Sequence, residues 1–189
     1  DKVYRDRTVD FFNQHIEAAV QLDCDHMVVS TGFAYLDVDA EDAFGWCAEA
    51  MGRIARKAEQ EGVTLAVEPF TKYTTHICNE ASQLRRLLRT VNSPRLMGLA
   101  DTDVIATTAV DTFSTFLDVI GPENLGHVHF VDGNPGGHLV PGDGNLDLDG
   151  ALEKLKAIHY TGALGLEVLD RRYVFAPEAA MRQAMDWYK

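Results

Sequence analysis

Residues Val63–Glu68 read Val-Thr-Leu-Ala-Val-Glu, a short apolar run that begins after Gly62 and ends on an acidic residue. Enrichment in β-branched residues and a bounding glycine are typical of a buried β-strand. Segments with apolar residues at helical spacing flank this run on both sides. Four more runs of the same kind predict strands at residues 26–30, 95–100, 126–131 and 163–167.

Capping residues divide the helical segments. Asp39 is the predicted N-cap of a helix that Gly62 ends, Asn79 the predicted N-cap of the next, and Pro177 opens the last helix. Another helix is predicted from about residue 110 to residue 119. The apolar face of the helix after Asp39 consists of Phe44, Cys47, Met51, Ile54 and Ala58.

Strict alternation of helices and short apolar strands predicts an α/β fold with a parallel sheet. Five strands are visible, whereas a closed βα barrel uses eight and each unit needs roughly 30 residues. An open doubly wound sheet is the alternative, although the sequence has no G-x-G-x-x-G or G-x-x-x-x-G-K-[ST] loop. In a barrel arc, we expect the edges at residues 26–30 and 163–167 to be open.

Length and composition restrict the function classes. With 189 residues and 46% hydrophobic content, residues 1–189 are expected to form a single globular domain. A net charge of -12 argues against nucleic-acid or anionic-membrane partners. No apolar run reaches the roughly 18–20 residues of a membrane-spanning helix. Three scattered cysteines without a C-x-x-C pair indicate reduced thiols and a cytoplasmic location.

Polar side chains interrupt the apolar pattern at the carboxyl ends of four predicted strands. Glu68 follows Leu-Ala-Val, Asp101 follows Gly-Leu-Ala, His129 lies in His-Val-His-Phe, and Glu167 follows Leu-Gly-Leu. Because parallel strands all point their carboxyl ends to one face, these side chains are expected to meet there. Carboxylates and an imidazole are ligands suited to Mn²⁺, Co²⁺, Mg²⁺ or Zn²⁺. A divalent metal site is therefore predicted on this rim.

Two nearby features are candidates for substrate binding. His127 lies on the same strand face as His129, so only one of the two need be a ligand. The glycine-rich loop from Asp132 to Gly144 carries His138 in its middle, and a loop of this length in a compact domain is usually functional. We name His138, His127 and Asp132 as candidate substrate-binding residues.

Taken in order, the strand-end motifs resemble the sugar isomerase/epimerase family of xylose-isomerase-like TIM barrels. Within it, they look most like ketose 3-epimerases of the tagatose/psicose type and fructoselysine 3-epimerases. The motifs are Val67-Glu-Pro69, Gly98-Leu-Ala-Asp101, Gly126-His-Val-His-Phe-Val-Asp132, His138-Leu-Val-Pro-Gly-Asp-Gly144 and Leu166-Glu-Val168.

The resemblance implies a (β/α)₈ TIM barrel of which this chain holds about strands 4–8 and their helices, with strands 1–3 expected to be missing. Glu68, Asp101, His129 and Glu167 match the family's four ligands of one divalent metal, with Mn²⁺ favoured. The two glutamates match its acid/base pair. The family's substrate-binding histidine and arginine are replaced here by Val104 and Pro135.

The predicted function is metal-dependent C3 epimerisation of a ketose or fructosamine-type sugar. The two glutamates would remove and return a proton through an enediolate. The expected partner is a small-molecule sugar, and a homo-oligomer is left open. Aldose–ketose isomerase, hydroxypyruvate isomerase and inosose dehydratase activities are alternatives on the same ligand set. A non-catalytic sugar-binding barrel is the alternative from a different class.

Overall fold

The computed structural model describes residues 1–35 and 37–189, and strands and helices alternate along it. Two single-turn 3₁₀ helices, Pro122–Asn124 and Arg171–Tyr173, supplement the regular elements. The strands are β1 (His26–Ser30), β2 (Thr64–Glu68), β3 (Leu96–Asp101), β4 (Leu125–His129) and β5 (Leu164–Gly165). The helices are α1 (Lys2–Gln21), α2 (Ala40–Glu61), α3 (Ala81–Val91), α4 (Thr102–Thr108), α5 (Phe113–Ile120), α6 (Leu148–Ala157) and α7 (Pro177–Trp187).

All five strands are parallel and lie in chain order, β1-β2-β3-β4-β5. Each strand therefore pairs with its sequence neighbours, as in an arc of a βα barrel, and the predicted fold class is confirmed. Within the described part of the chain, β1 pairs only with β2 and β5 only with β4, so both predicted edges are open. The pairs Ser30–Glu68 and Asp101–His129 lie in register, which brings the strand ends to one rim.

Helix α2 shows why the local sequence folds as predicted. The Asp39 carboxylate accepts hydrogen bonds from the backbone N–H groups of Glu41 and Asp42. Gly62 ends the helix at φ 77°, a left-handed conformation that glycine adopts without steric cost. All five residues of the predicted apolar face are buried in the core between the helices and the sheet. Burial of this face stabilises the helix more than its intrinsic propensity does.

Three local predictions differ from the structure. The N-cap of α3 is Glu80, which forms a capping box with Gln83, while the Asn79 side chain donates to the backbone carbonyls of Phe70 and Thr75. The segment after β3 forms two helices, because Ala109 ends α4 at φ 56° and Thr112 caps α5. Strand β5 has only two residues. Helix α4 was missed because seven residues rich in threonine show no apolar period.

No helix within the described residues combines the length and the apolar content that crossing a bilayer requires.

Candidate metal centre

The structure brings Glu68, Asp101, His129 and Glu167 together at the carboxyl ends of their strands. One potential ligand atom from each lies within 4.8 Å of the others. His129 is central: its Nδ1 lies 3.1 Å from Glu68 Oε1, 3.3 Å from Glu167 Oε2 and 3.5 Å from Asp101 Oδ2. Ligand atoms at about 2.0–2.6 Å from one ion lie at most about 5 Å apart. The four groups therefore have the spacing that a single divalent ion needs.

Asp101 provides a separate test of whether a cation fits. Its Oδ1 accepts hydrogen bonds from the backbone N–H groups of Asp103 and Val104 and so caps α4. Its Oδ2 is buried and has no hydrogen-bond partner among residues 1–35 and 37–189. A buried carboxylate oxygen without a hydrogen bond is costly. The His129 and His138 rings face this oxygen at 3.5 and 3.4 Å, and a bound cation between the groups would satisfy it. The surroundings of Asp101 thus fit a metal ion held between it and the other three groups.

Burial differs across the cluster. The side chains of Asp101, Glu68 and His129 are 1%, 9% and 9% exposed, whereas that of Glu167 is 38% exposed. These three side chains are the buried part of the cluster, and Glu167, which follows the edge strand β5, is its exposed part.

The cluster is electrostatically coupled. Burial raises the pKa of the Asp101 carboxyl, but the adjacent His129 and His138 rings outweigh this effect and lower it to about 2. Burial lowers the pKa of His129, but Asp101 and Glu68 outweigh burial and raise it to about 10. Burial and the charge of Glu68 raise the pKa of Glu167. Without metal, the carboxylates thus hold a proton on His129 that a metal ion must displace.

This coupling predicts how the stability of the metal-free protein depends on pH. The pKa values of His129 and His138 are raised from 6.5 to about 10, so their stabilising contribution is complete below pH 6.5 and is lost as the pH rises towards 10. In excess chelator, the urea midpoint should therefore fall between pH 6.5 and pH 9. Metal affinity should rise over the same range, because His129 must lose its proton to bind. A chelated protein whose midpoint rises with pH would contradict this charge assignment.

His138 is brought to the same cluster by its loop. Its Nε2 lies 3.4 Å from Asp101 Oδ2 and 3.4 Å from Glu167 Oε2, and its side chain is 17% exposed. The ring therefore lies next to Glu167, the most exposed residue of the cluster. This is where a contact with a bound small molecule is feasible.

Asp132 lies beneath the loop. Its carboxylate is buried and accepts hydrogen bonds from the backbone N–H groups of Gly133, Gly142, Gly144 and Leu146. A Cβ on Gly144 would overlap the Asp132 carboxylate, which explains the glycine at this position. This geometry supports a role in shaping the loop and gives no support to direct contact with a substrate.

The His127 ring packs against the His129 ring. The two rings lie edge to face with centroids 5.3 Å apart. A Cβ on Gly165 would lie 2.9 Å from His127 Nε2 and 3.2 Å from His129 Cδ2, so only glycine leaves room for both rings there. His127 thus contacts a member of the cluster and can help to orient it.

Asp103 is a functional candidate that the sequence pattern did not predict. Its side chain is 1% exposed, and its carboxylate accepts hydrogen bonds from the backbone N–H groups of Gly136 and His138. In the sequence, Asp103 is an acidic residue two positions after Asp101, close to a strand end, and this placement was the available indication of a role. That pattern did not reveal its partner, because the loop that reaches it lies 33 residues further along the chain.

Known proteins resemble this chain in sequence and in fold. It is 26% identical over 191 residues to fructoselysine 3-epimerase of Shigella flexneri, covering 100% of this chain and 68% of that protein. The structure of D-psicose 3-epimerase from Clostridium cellulolyticum H10 with D-tagatose superposes with a TM-score of 0.85 at 19% identity, covering 100% of this chain and 70% of that one. The IOLI protein structure with a binding zinc atom gives a TM-score of 0.85 at 18% identity, with the same two coverages.

These two structures establish likeness of fold, and the relatives named as enzymes are epimerases. The motif resemblance seen in the sequence is thereby confirmed. Because the family model described as xylose isomerase-like TIM barrel matches residues 1–189, the chain belongs to that family.

Proposed function

We propose that this protein is a metal-dependent sugar epimerase that inverts C3 of a ketose or of a fructosamine-type sugar. The observation that carries the proposal is the convergence of Glu68, Asp101, His129 and Glu167 on one point. The similarity to a fructoselysine 3-epimerase supports the reaction class.

Glu68 and Glu167 are the proposed acid/base pair. They come from β2 and from the segment after β5, which lie three strands apart in the sheet, and they approach His129 from different strands. Epimerisation needs one group to take the C3 proton and another to return a proton on the opposite face. Burial and the charge of Glu68 raise the pKa of Glu167 towards neutral pH, where a general acid or base works best.

The proposed ligands of one divalent ion are Glu68, Asp101, His129 and Glu167. When bound, the ion supplies positive charge that stabilises the negative charge developing on the substrate oxygens. Three carboxylates and one imidazole form a hard, oxygen-rich set, and we propose Mn²⁺, with Co²⁺, Mg²⁺ and Zn²⁺ as substitutes.

The substrate is proposed to be a substituted ketose, such as a fructosamine-type sugar. The positions where the resemblance implies a substrate-binding histidine and arginine hold Val104, which is buried, and Pro135, which is exposed. His138 is the proposed contact to a substrate hydroxyl, because its ring lies next to Glu167. His127 and Asp132 are proposed to act indirectly, through His129 and through the loop respectively.

We also propose that residues 1–189 act as one domain. A single core cluster runs from α1 to α6, and Val140 of the His138 loop packs against α7 through Ala180 and Ala184. The unpaired Cys24, Cys47 and Cys78 support the proposed reducing, cytoplasmic location.

Hydrogen exchange measured by NMR in D₂O tests the proposed reaction. The full-length protein with Mn²⁺ should exchange the C3 hydrogen of a ketose or ketosamine with solvent, because a proton carried by a glutamate equilibrates with water. Exchange at C1 or C2 instead would assign an aldose–ketose isomerase. A protein that binds metal yet exchanges no sugar hydrogen would favour the non-catalytic sugar-binding alternative.

A further inference from the structure

The backbone of His138 has an uncommon conformation. Its φ is 47°, and it follows Gly136 at 95° and Gly137 at 111°, so three consecutive residues have positive φ. Glycine adopts this region freely, whereas a side chain is disfavoured there. His138 therefore needs contacts that hold it in this conformation.

Asp103 supplies those contacts. Its Oδ1 accepts a hydrogen bond from the Gly136 N–H at 2.5 Å, and its Oδ2 accepts one from the His138 N–H at 3.0 Å. The same Oδ2 lies 3.0 Å from Nδ1 of the His138 ring. One buried carboxylate thus binds both the backbone and the ring of His138, and a Cβ on Gly133 would overlap it.

These contacts fix the orientation of the His138 ring. Nδ1 faces Asp103, and the opposite nitrogen, Nε2, lies between Asp101 and Glu167. We infer that Asp103 is a positioning residue that fixes the orientation of the His138 ring, with Nδ1 against Asp103 and Nε2 towards Asp101 and Glu167. This inference rests on the proposed function, since it assumes that a sugar binds beside Glu167.

A double-mutant cycle separates this role from simple loop anchoring. Asp103→Asn keeps the side-chain shape but replaces one acceptor oxygen with a donor, so it cannot satisfy all three contacts. We expect C3 exchange to fall by about 10–100-fold, as for loss of other partners that orient active-site imidazoles. In a His138→Ala background, the same change should cost less than about twofold, because non-additivity marks residues that act through each other. An equal loss in both backgrounds would overturn the inference.

Asp143→Asn is the matched control. Asp143 also anchors the loop, by accepting hydrogen bonds from the Tyr173 hydroxyl and the Gln183 amide, but no hydrogen bond or ion pair among the described residues joins it to the His138 ring. The exchange rate of this variant should stay within about twofold of the parent, even if its unfolding temperature falls. A loss matching that of Asp103→Asn would mean that anchoring alone explains the effect.

A measurement on the unchanged protein keeps the inference testable if Asp103→Asn does not fold. A crystal structure of the Mg²⁺-loaded protein should show the His138 ring with Nδ1 within hydrogen-bond distance of the Asp103 carboxylate. A His138 ring turned away from Asp103 in that structure would overturn the inference. A ring held against Asp103 in a protein that exchanges no sugar hydrogen would leave the positioning by Asp103 intact and reject the proposed function instead.

Discussion

Replacing Glu167 with glutamine should lower the rate of C3 hydrogen exchange by about 10²–10⁴-fold, the contribution expected from a positioned acid/base group. Glutamine has nearly the same shape as glutamate but carries no transferable proton and no charge. Since Glu167 is 38% exposed, the substitution leaves the buried side chains of Glu68, Asp101 and His129 in place. Metal should also bind more weakly, because an amide oxygen is a poorer ligand than a carboxylate.

Exchange should therefore be measured at saturating Mn²⁺, so that the kinetic loss is separated from the loss of metal. The matched control is Glu178→Gln, which makes the same chemical change on α7 at a side chain that is 90% exposed. This variant should exchange at the parent rate. If metal-saturated Glu167→Gln retained the parent rate, Glu167 would not be a proton carrier, and the proposed mechanism would be wrong.

Asp101→Asn should weaken metal binding by at least about 100-fold. Loss of a group that only hydrogen-bonds to a metal ligand already costs up to about 100-fold. The cause is loss of the charged oxygen, Oδ2, which is buried without a hydrogen bond among the described residues. An asparagine oxygen can still accept from the N–H groups of Asp103 and Val104, so the cap of α4 should survive. The variant should therefore fold while its metal site fails.

Isothermal titration with Mn²⁺ checks this prediction, with one ion per chain expected for the parent. Asp118→Asn provides the control, because Asp118 is 62% exposed and pairs with Lys154 on the surface. Its affinity for Mn²⁺ should equal that of the parent. Parent-like affinity in Asp101→Asn would exclude Asp101 from the ligand set.

Much of the fold was predictable because it depends on local pattern. The strand that ends at Glu68 and the helix between Asp39 and Gly62 follow from apolar period and capping residues, and both appear as predicted. Convergence of the strand-end side chains also followed, since neighbouring parallel strands end at a common rim. Helix α4 was not predictable in this way, because Asp101 and the contacts around Thr102 define it more than any apolar period does.

The sequence by itself determined the alternation of strands and helices and the rim where Glu68, Asp101, His129 and Glu167 meet, because period and chain direction are local properties. Only the tertiary structure decided how the loop after β4 is used. It turned Asp132 inward onto four backbone N–H groups, and it placed His138 against Asp103. The physical reason is that a buried carboxylate must be satisfied by whichever donors the folded chain brings to it. Those donors lie up to 35 residues away, and no local pattern specifies them.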